Sequence, residues 1–292
     1  MAKIKIVADS TCDLPIAVIK NLDIEIIPAN VIFEDHIFSH YDISNDEFYQ
    51  RLKKGEMSST GVPSPKVFKR AFDNALNNAD EIIVFTLSKK LSAMYQTATL
   101  VKNNFFDENV TIIDSETVTL EMGLITYLAA KEAKNGTTKE ELMKLINDFL
   151  LPYSQLIGVV DTLKYLKKSG RISTISWLIG SVLSIKPIVH IEDGLIKSPG
   201  KARGKEHALE ILETVAQKIV ATKKSDTIVV GHSHDLESAL QFEKIIRELP
   251  NPPTDILIGE IGPVVGTHLG PGAIGFAWMG DFDEEWLKKV KA

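Results

Sequence analysis

The chain has 292 residues, 44% hydrophobic and 25% charged, an ordinary globular balance with enough length for two domains with substantial cores. Its formal net charge of -6 and pI near 5.7 exclude a general nucleic-acid binder, which needs a basic surface, and leave room only for local basic patches. The single cysteine, Cys12, excludes an intrachain disulfide, a cysteine-built zinc site and a redox pair, and fits a reducing cytoplasm.

The N-terminus enters a short apolar strand at residues 4–8 directly, without a signal peptide's longer apolar region, so a cytoplasmic location is expected. Strand-like runs at 24–27, 82–85 and 110–113 then alternate with helical patterns, the signature of an α/β domain. Ser44 to Glu47 and Thr138 to Glu141 have the spacing of reciprocal helix caps, and Ser64-Pro65 reads as a cap followed by a first helical turn. A second set of strands is predicted at 156–160, 187–191, 227–230, 256–259 and 275–279. The expected fold is therefore two packed α/β domains, 1–155 and 156–292, with the ligand site in the cleft between them. The longest apolar stretch, 175–191, is interrupted by Ser176, Ser181, Ser184, Lys186 and Pro187, and reads as a buried helix followed by a strand, not as an integral membrane segment.

Several segments carry groups suited to chemistry. Asp9-Ser10-Thr11-Cys12-Asp13 follows the first strand, where open sheets face ligands, and its side chains serve equally as helix caps. Asp114-Ser115-Glu116-Thr117 has the same ambiguity and reads as structural. The loop from Ser58 to Pro65 and the predicted helix start at Ser92 offer hydroxyl donors for a carboxylate or phosphate. Ser92 does not sit on a Gly-x-Ser-x-Gly elbow. Basic residues gather on 163–172, ending near Arg171, and on 197–205, which includes Arg203. His232-Ser233-His234-Asp235 lacks a second ligand-rich segment, and helix capping explains it as well as a metal does.

The Gly/Pro-dense run from Gly262 to Gly275 carries Thr267 and His268, and implies close backbone approach to an anion or polar head group. Its Gly270-x-Gly272-x-x-Gly275 register imitates a dinucleotide fingerprint, but a strand follows it where that motif needs a helix, so no cofactor is expected.

In this order the segments resemble the DegV family of bacterial fatty-acid-binding proteins, from Asp9-Ser10-Thr11 to the Gly-Thr-His-Leu-Gly-Pro-Gly-Ala run. The resemblance implies two packed α/β domains holding a long-chain fatty acid, with catalysis left to a separate ATP-dependent fatty acid kinase. By motif, the residues around the carboxylate become Thr60, Ser92, Thr267 and His268, with Arg171 from the family's Lys-Gly-Gly-Arg-Ile turn and Arg203 from its kinase-docking segment. Two departures, Gly61-Val62 for Ser-Gln and Ala93-Met94 for Gly-Thr, remove polar donors near the head group. The segment 177–183 is the candidate wall of the acyl tunnel. A competing enzyme reading assigns Ser92, His268 and Asp9 to hydrolysis or phosphoryl transfer, and a third reading is a binder of another amphiphile.

Overall fold

The computed structural model describes residues 2–171 and 184–287, so the proposed tunnel wall 177–183 lies outside the described residues. The first part of the chain builds β1 (Ile4–Asp9), α1 (Ile16–Asn21), β2 (Glu25–Ile27), β3 (Asn30–Ile32), β4 (Ile37–Ser39), α2 (Asn45–Lys53), β5 (Ser59–Gly61), α3 (Pro65–Leu76), β6 (Glu81–Thr86), α4 (Met94–Phe105) and β7 (Val110–Asp114). Strands β2-β1-β6-β7 form a parallel sheet, and β4-β3-β5 form a small antiparallel one beside it. All six residues of β1 are buried, as expected of a strand covered on both faces.

Next come α5 (Thr119–Lys134), α6 (Lys139–Leu145) and α7 (Leu151–Tyr153), the last two joined by a π-helical turn. The remainder contains β8 (Ser154–Val159), α8 (Lys164–Ser169), β9 (Ile185–Glu192), β10 (Leu195–Arg203), α9 (Gly204–Thr222), β11 (Thr227–His232), α10 (Leu236–Glu248), β12 (Asp255–Glu260), α11 (Pro263–Leu269) and β13 (Ile274–Met279). Its sheet, ordered β10-β9-β8-β13-β11-β12, is antiparallel except for the β11–β12 pair.

Helix α5 is the hinge of the architecture. It packs on β1 and β6 of the first sheet and on β8, β11 and β13 of the second. Its buried residues run without a break from Thr119 to Thr126, the pattern of a helix surrounded by protein, not of one with a solvent face. Gly123 permits the closest approach: a Cβ there would lie 2.4 Å from the Cys12 carbonyl oxygen. One apolar cluster consequently runs from Ile6 and Phe85 through Leu124 to Leu156, Val229 and Ala277.

The strands read from sequence are present, and Thr138 with Glu141 forms the expected reciprocal cap. Ser44 accepts the Glu47 N–H, whereas Ser64 makes no side-chain cap bond and Pro65 alone starts α3. The glycines of the C-terminal run face protein where a ligand was expected. A Cβ on Gly270, at φ 72, would meet the Tyr165 ring at 2.2 Å, and one on Gly275 would meet the Ile157 carbonyl at 2.5 Å. The first half of that run is helix α11, which Pro263 opens and Gly270 ends.

Candidate functional site

A cavity of about 280 Å³ lies beyond the carboxyl ends of β1, β6 and β7, the edge where open α/β sheets bind ligands. Leu87 and Leu91 from the β6–α4 connection and Met94, the first residue of α4, form one wall. Val189, Ile191 and Ile196 of the β9–β10 hairpin form another, and Val264, Val265 and Leu269 of α11 a third. Into this aliphatic space project the polar residues Thr11, Thr60, Ser92, Thr119, Arg171 and His268. An apolar chamber with a few polar groups is the composition of a site for a small amphiphilic molecule.

Strand β5 and helix α11 bring two of those groups together: Thr60 Oγ1 lies 3.1 Å from His268 Nε2. The other ring nitrogen, Nδ1, is shielded from solvent and has no hydrogen-bond partner among the described residues. Burial, reinforced by the Arg171 charge, lowers the His268 pKa to about 4, so the imidazole is neutral at neutral pH. When Nε2 accepts from the Thr60 hydroxyl, Nδ1 carries the proton and is a donor in search of an acceptor. Ser92 stands two residues before α4, and its hydroxyl makes no hydrogen bond within the described residues. Arg171 donates from Nη1 to the Ser169 carbonyl at 2.7 Å and has no acidic partner among the described residues. Together these groups supply neutral donors and one cation to a largely apolar chamber, an arrangement that suits a carboxylate on a hydrocarbon chain.

A family model described as "Uncharacterised protein, DegV family COG1307" matches residues 3–281. The chain belongs to the DegV family. The DegV domain-containing protein CPE0026 of Clostridium perfringens is 31% identical over 294 residues, covering 97% of this chain and all of that protein. Among solved structures, a DegV family protein from Thermus thermophilus described by its fatty acid binding superposes with a TM-score of 0.87 at 27% identity, over 96% of this chain and 100% of that one. DegV of Bacillus subtilis, described as a fatty acid binding protein, gives 0.81 at 27% identity over 96% and 100% of the two chains. A stearic acid-binding protein from Eubacterium ventriosum gives 0.81 at 26% identity over 96% and 98%.

Within the DegV fold, four of the six residues carried over by motif, Thr60, Ser92, Arg171 and His268, line one cavity. Thr267 does not line it. Its hydroxyl donates to the Pro263 carbonyl at 2.9 Å, one turn back in α11, and lies 2.8 Å from Ser58 Oγ, so it ties the helix to the residue just before strand β5, which carries Thr60. Arg203 ends β10 on the exposed surface, apart from the cavity, with its backbone N–H donated to His207 Nδ1. The four departure residues, Gly61, Val62, Ala93 and Met94, all line the cavity.

The enzyme reading finds no assembled triad. Asp9 accepts the Thr11 N–H at 2.9 Å, the Thr11 hydroxyl at 2.5 Å and the Leu87 N–H at 2.7 Å, and makes no bond to Ser92 or His268. The other histidine segment is likewise tied to protein: Asp235 caps α10 and pairs with Lys205, while His234 stacks on Tyr49 with Nδ1 3.6 Å from Asp46. Among the described residues, no three His, Cys, Asp or Glu side chains are grouped to hold a metal ion, and no helix is long and apolar enough to cross a membrane.

Sequence reasoning missed the hairpin wall, although Asp193-Gly194 is a two-residue turn signature. Both residues have positive φ, 50° and 71°. The turn is pinned to the Ser92 loop, with Ser88 Oγ donating to the Gly194 carbonyl at 2.7 Å and Lys90 Nζ to the Asp193 carbonyl at 2.6 Å.

Proposed function

We propose that this chain binds a long-chain fatty acid, burying the acyl tail among the aliphatic walls and holding the carboxylate at Ser92, His268 and Arg171, with Thr60 orienting the His268 ring beside it. The observation that carries the reading is that His268 Nδ1 and the Ser92 hydroxyl, neither with a hydrogen-bond partner among the described residues, stand in a largely aliphatic chamber. Family membership and the fatty acids named for the Thermus, Bacillus and Eubacterium proteins support it. Burying about fifteen methylenes is worth at most ~12 kcal/mol before association and ordering costs are subtracted. Charge-assisted bonds at the head add about 1.5 to 3 kcal/mol each, and they prevent the cost of a desolvated, unpaired carboxylate.

In this proposal the protein is a carrier and not a catalyst. A separate ATP-dependent fatty acid kinase docks at a surface that includes Arg203 and phosphorylates the presented carboxylate, while Thr267 keeps α11 and its His268 in place. Gly61, Val62 and Met94 replace polar residues with cavity-lining apolar ones and Ala93 makes the helix start bulkier, which favours a site leaning on fewer, stronger head-group bonds. Palmitate titrated into lipid-stripped protein by calorimetry tests the reading: saturable 1:1 heat supports it. Absence of binding by palmitate, together with a different co-purified lipid mass, would transfer the site to another amphiphile.

A further inference from the structure

Three elements meet on one buried carboxyl that the fatty-acid reading does not use. Asp13 follows β1 and its 3-10 turn, with φ at 47°. Thr119 opens α5 with φ at 54°, an outlier conformation for a β-branched residue. The Thr119 hydroxyl donates to Asp13 Oδ2 at 2.7 Å, and the Gly262 N–H donates to Asp13 Oδ1 at 2.9 Å. Gly262 is the N-cap of α11, the helix that carries His268. On the preceding residue, the Ile261 carbonyl accepts the Tyr49 hydroxyl at 2.7 Å. Thr119 lines the cavity and Asp13 does not, so Asp13 acts on the cavity only through the two residues it holds.

We propose that Asp13 is the positioning residue of the carboxylate site: in its ionised form it draws the start of α11 to the start of α5, and thereby sets His268 against Thr60. This rests on the fatty-acid reading above. The ionisable groups facing Asp13 are Asp9 and Cys12 on its own segment, His40 and Tyr41 from the β4–α2 connection, Tyr49 of α2 and Glu260 of β12. His40 is held neutral by burial, its pKa lowered to about 4, so none of these groups offers a positive charge at neutral pH. Burial, with Asp9 and Glu260 adding to it, pushes the Asp13 pKa up to about 7 against the pull of its two hydrogen bonds. Above that value the Thr119 and Gly262 bonds are charge-assisted. Below it they are neutral and about half as strong.

The predicted sign follows: fatty-acid affinity is high above pH 7 and falls as Asp13 takes up its proton. Asp13→Asn mimics the protonated state at every pH, since its amide oxygen still accepts from Gly262 and its NH2 group meets the Thr119 hydroxyl. Palmitate binding to lipid-stripped protein is measured by calorimetry between about pH 6 and pH 8.5, for the parent and for D13N. The parent loses about five-fold in affinity toward the acid end, while D13N is weak throughout, so their ratio, from which the ligand's own titration cancels, approaches one below pH 6.5. A readout needing no variant is the NMR titration of the ligand-free parent, in which the Gly262 amide and the His268 ring shift together with a midpoint near pH 7. A ratio of one at every pH would overturn the positioning role, and so would a Gly262 amide that does not titrate; the latter decides the matter if D13N does not fold. Failure of the parent to bind palmitate at any pH would remove the fatty-acid reading, while the coupled titration still judges Asp13.

Discussion

In the proposed carboxylate site, His268 acts as a neutral ring. A buried imidazolium would be a stronger partner for a carboxylate, but burial beside Arg171 lowers its pKa to about 4, which leaves the permanent charge to Arg171 and makes the ring a directional donor. His268→Ala and Ser92→Ala should each weaken palmitate binding by about ten-fold or more in calorimetry, because each removes a bond to a charged group. Thr60→Val should weaken it less, since it frees the ring without removing it. His40 offers a separate test on stability. Its Nδ1 is buried without a hydrogen-bond partner among the described residues, and its pKa falls from 6.5 to about 4 by desolvation. Below pH 6.5 the unfolded chain binds a proton that the folded chain refuses, so the folded state loses stability as pH drops from 6.5 toward 4. Thermal melts of His40→Phe should show a flatter acid limb than the parent. Thr60, Ser92 and His268 could be singled out because the segments that carry them follow the motif order of the DegV family, and all three line one cavity. Asp13 and His40 were not, because nothing in a local sequence window distinguishes a buried acid or imidazole from an exposed one.

Helix α5 carries the fold at the scale of elements, and its importance was hidden for a physical reason. A helix buried all round has no amphipathic period, so its sequence advertises neither a core face nor a site. Gly123→Ala should cost about 1 to 3 kcal/mol in denaturant melts, since the new methyl would press on the Cys12 carbonyl, a backbone atom that cannot turn aside. Glu121, also on α5, is buried and accepts from Thr117 at 2.7 Å and Ser154 at 2.9 Å, with its pKa raised by desolvation from 4.5 to about 7. The folded state therefore holds a proton that the unfolded state releases between those values, and stability declines as pH rises from 4.5 to 7, opposite in sign to His40. Glu121→Gln should remove that decline, on the order of 3 kcal/mol by pH 8, and a variant as pH-dependent as the parent would refute the assignment. Strand β9 was read at 187–191, whereas its hairpin partner β10 was missed although the turn dipeptide is explicit, because β10 contains Pro199 and Gly200, which weaken the strand pattern.

For the whole molecule, two sheets of different kind share one core through α5, and the cavity opens where their loops converge. The alternation of strands and helices was readable from hydrophobic runs, whereas the mixed order of the second sheet depends on long-range pairing that no local pattern records. We propose a division of the chain near residue 155, just after β8 begins, which makes α5 the contribution of the first part to the second. The central claim is that this chamber holds a fatty acid. Native mass spectrometry of the purified, untreated protein tests it most directly, because a buried hydrocarbon chain leaves slowly and survives purification. The account predicts a stoichiometric adduct whose mass is that of a long-chain fatty acid, reduced in occupancy by His268→Ala substitution. A bare protein mass that stays bare after palmitate is added would contradict it.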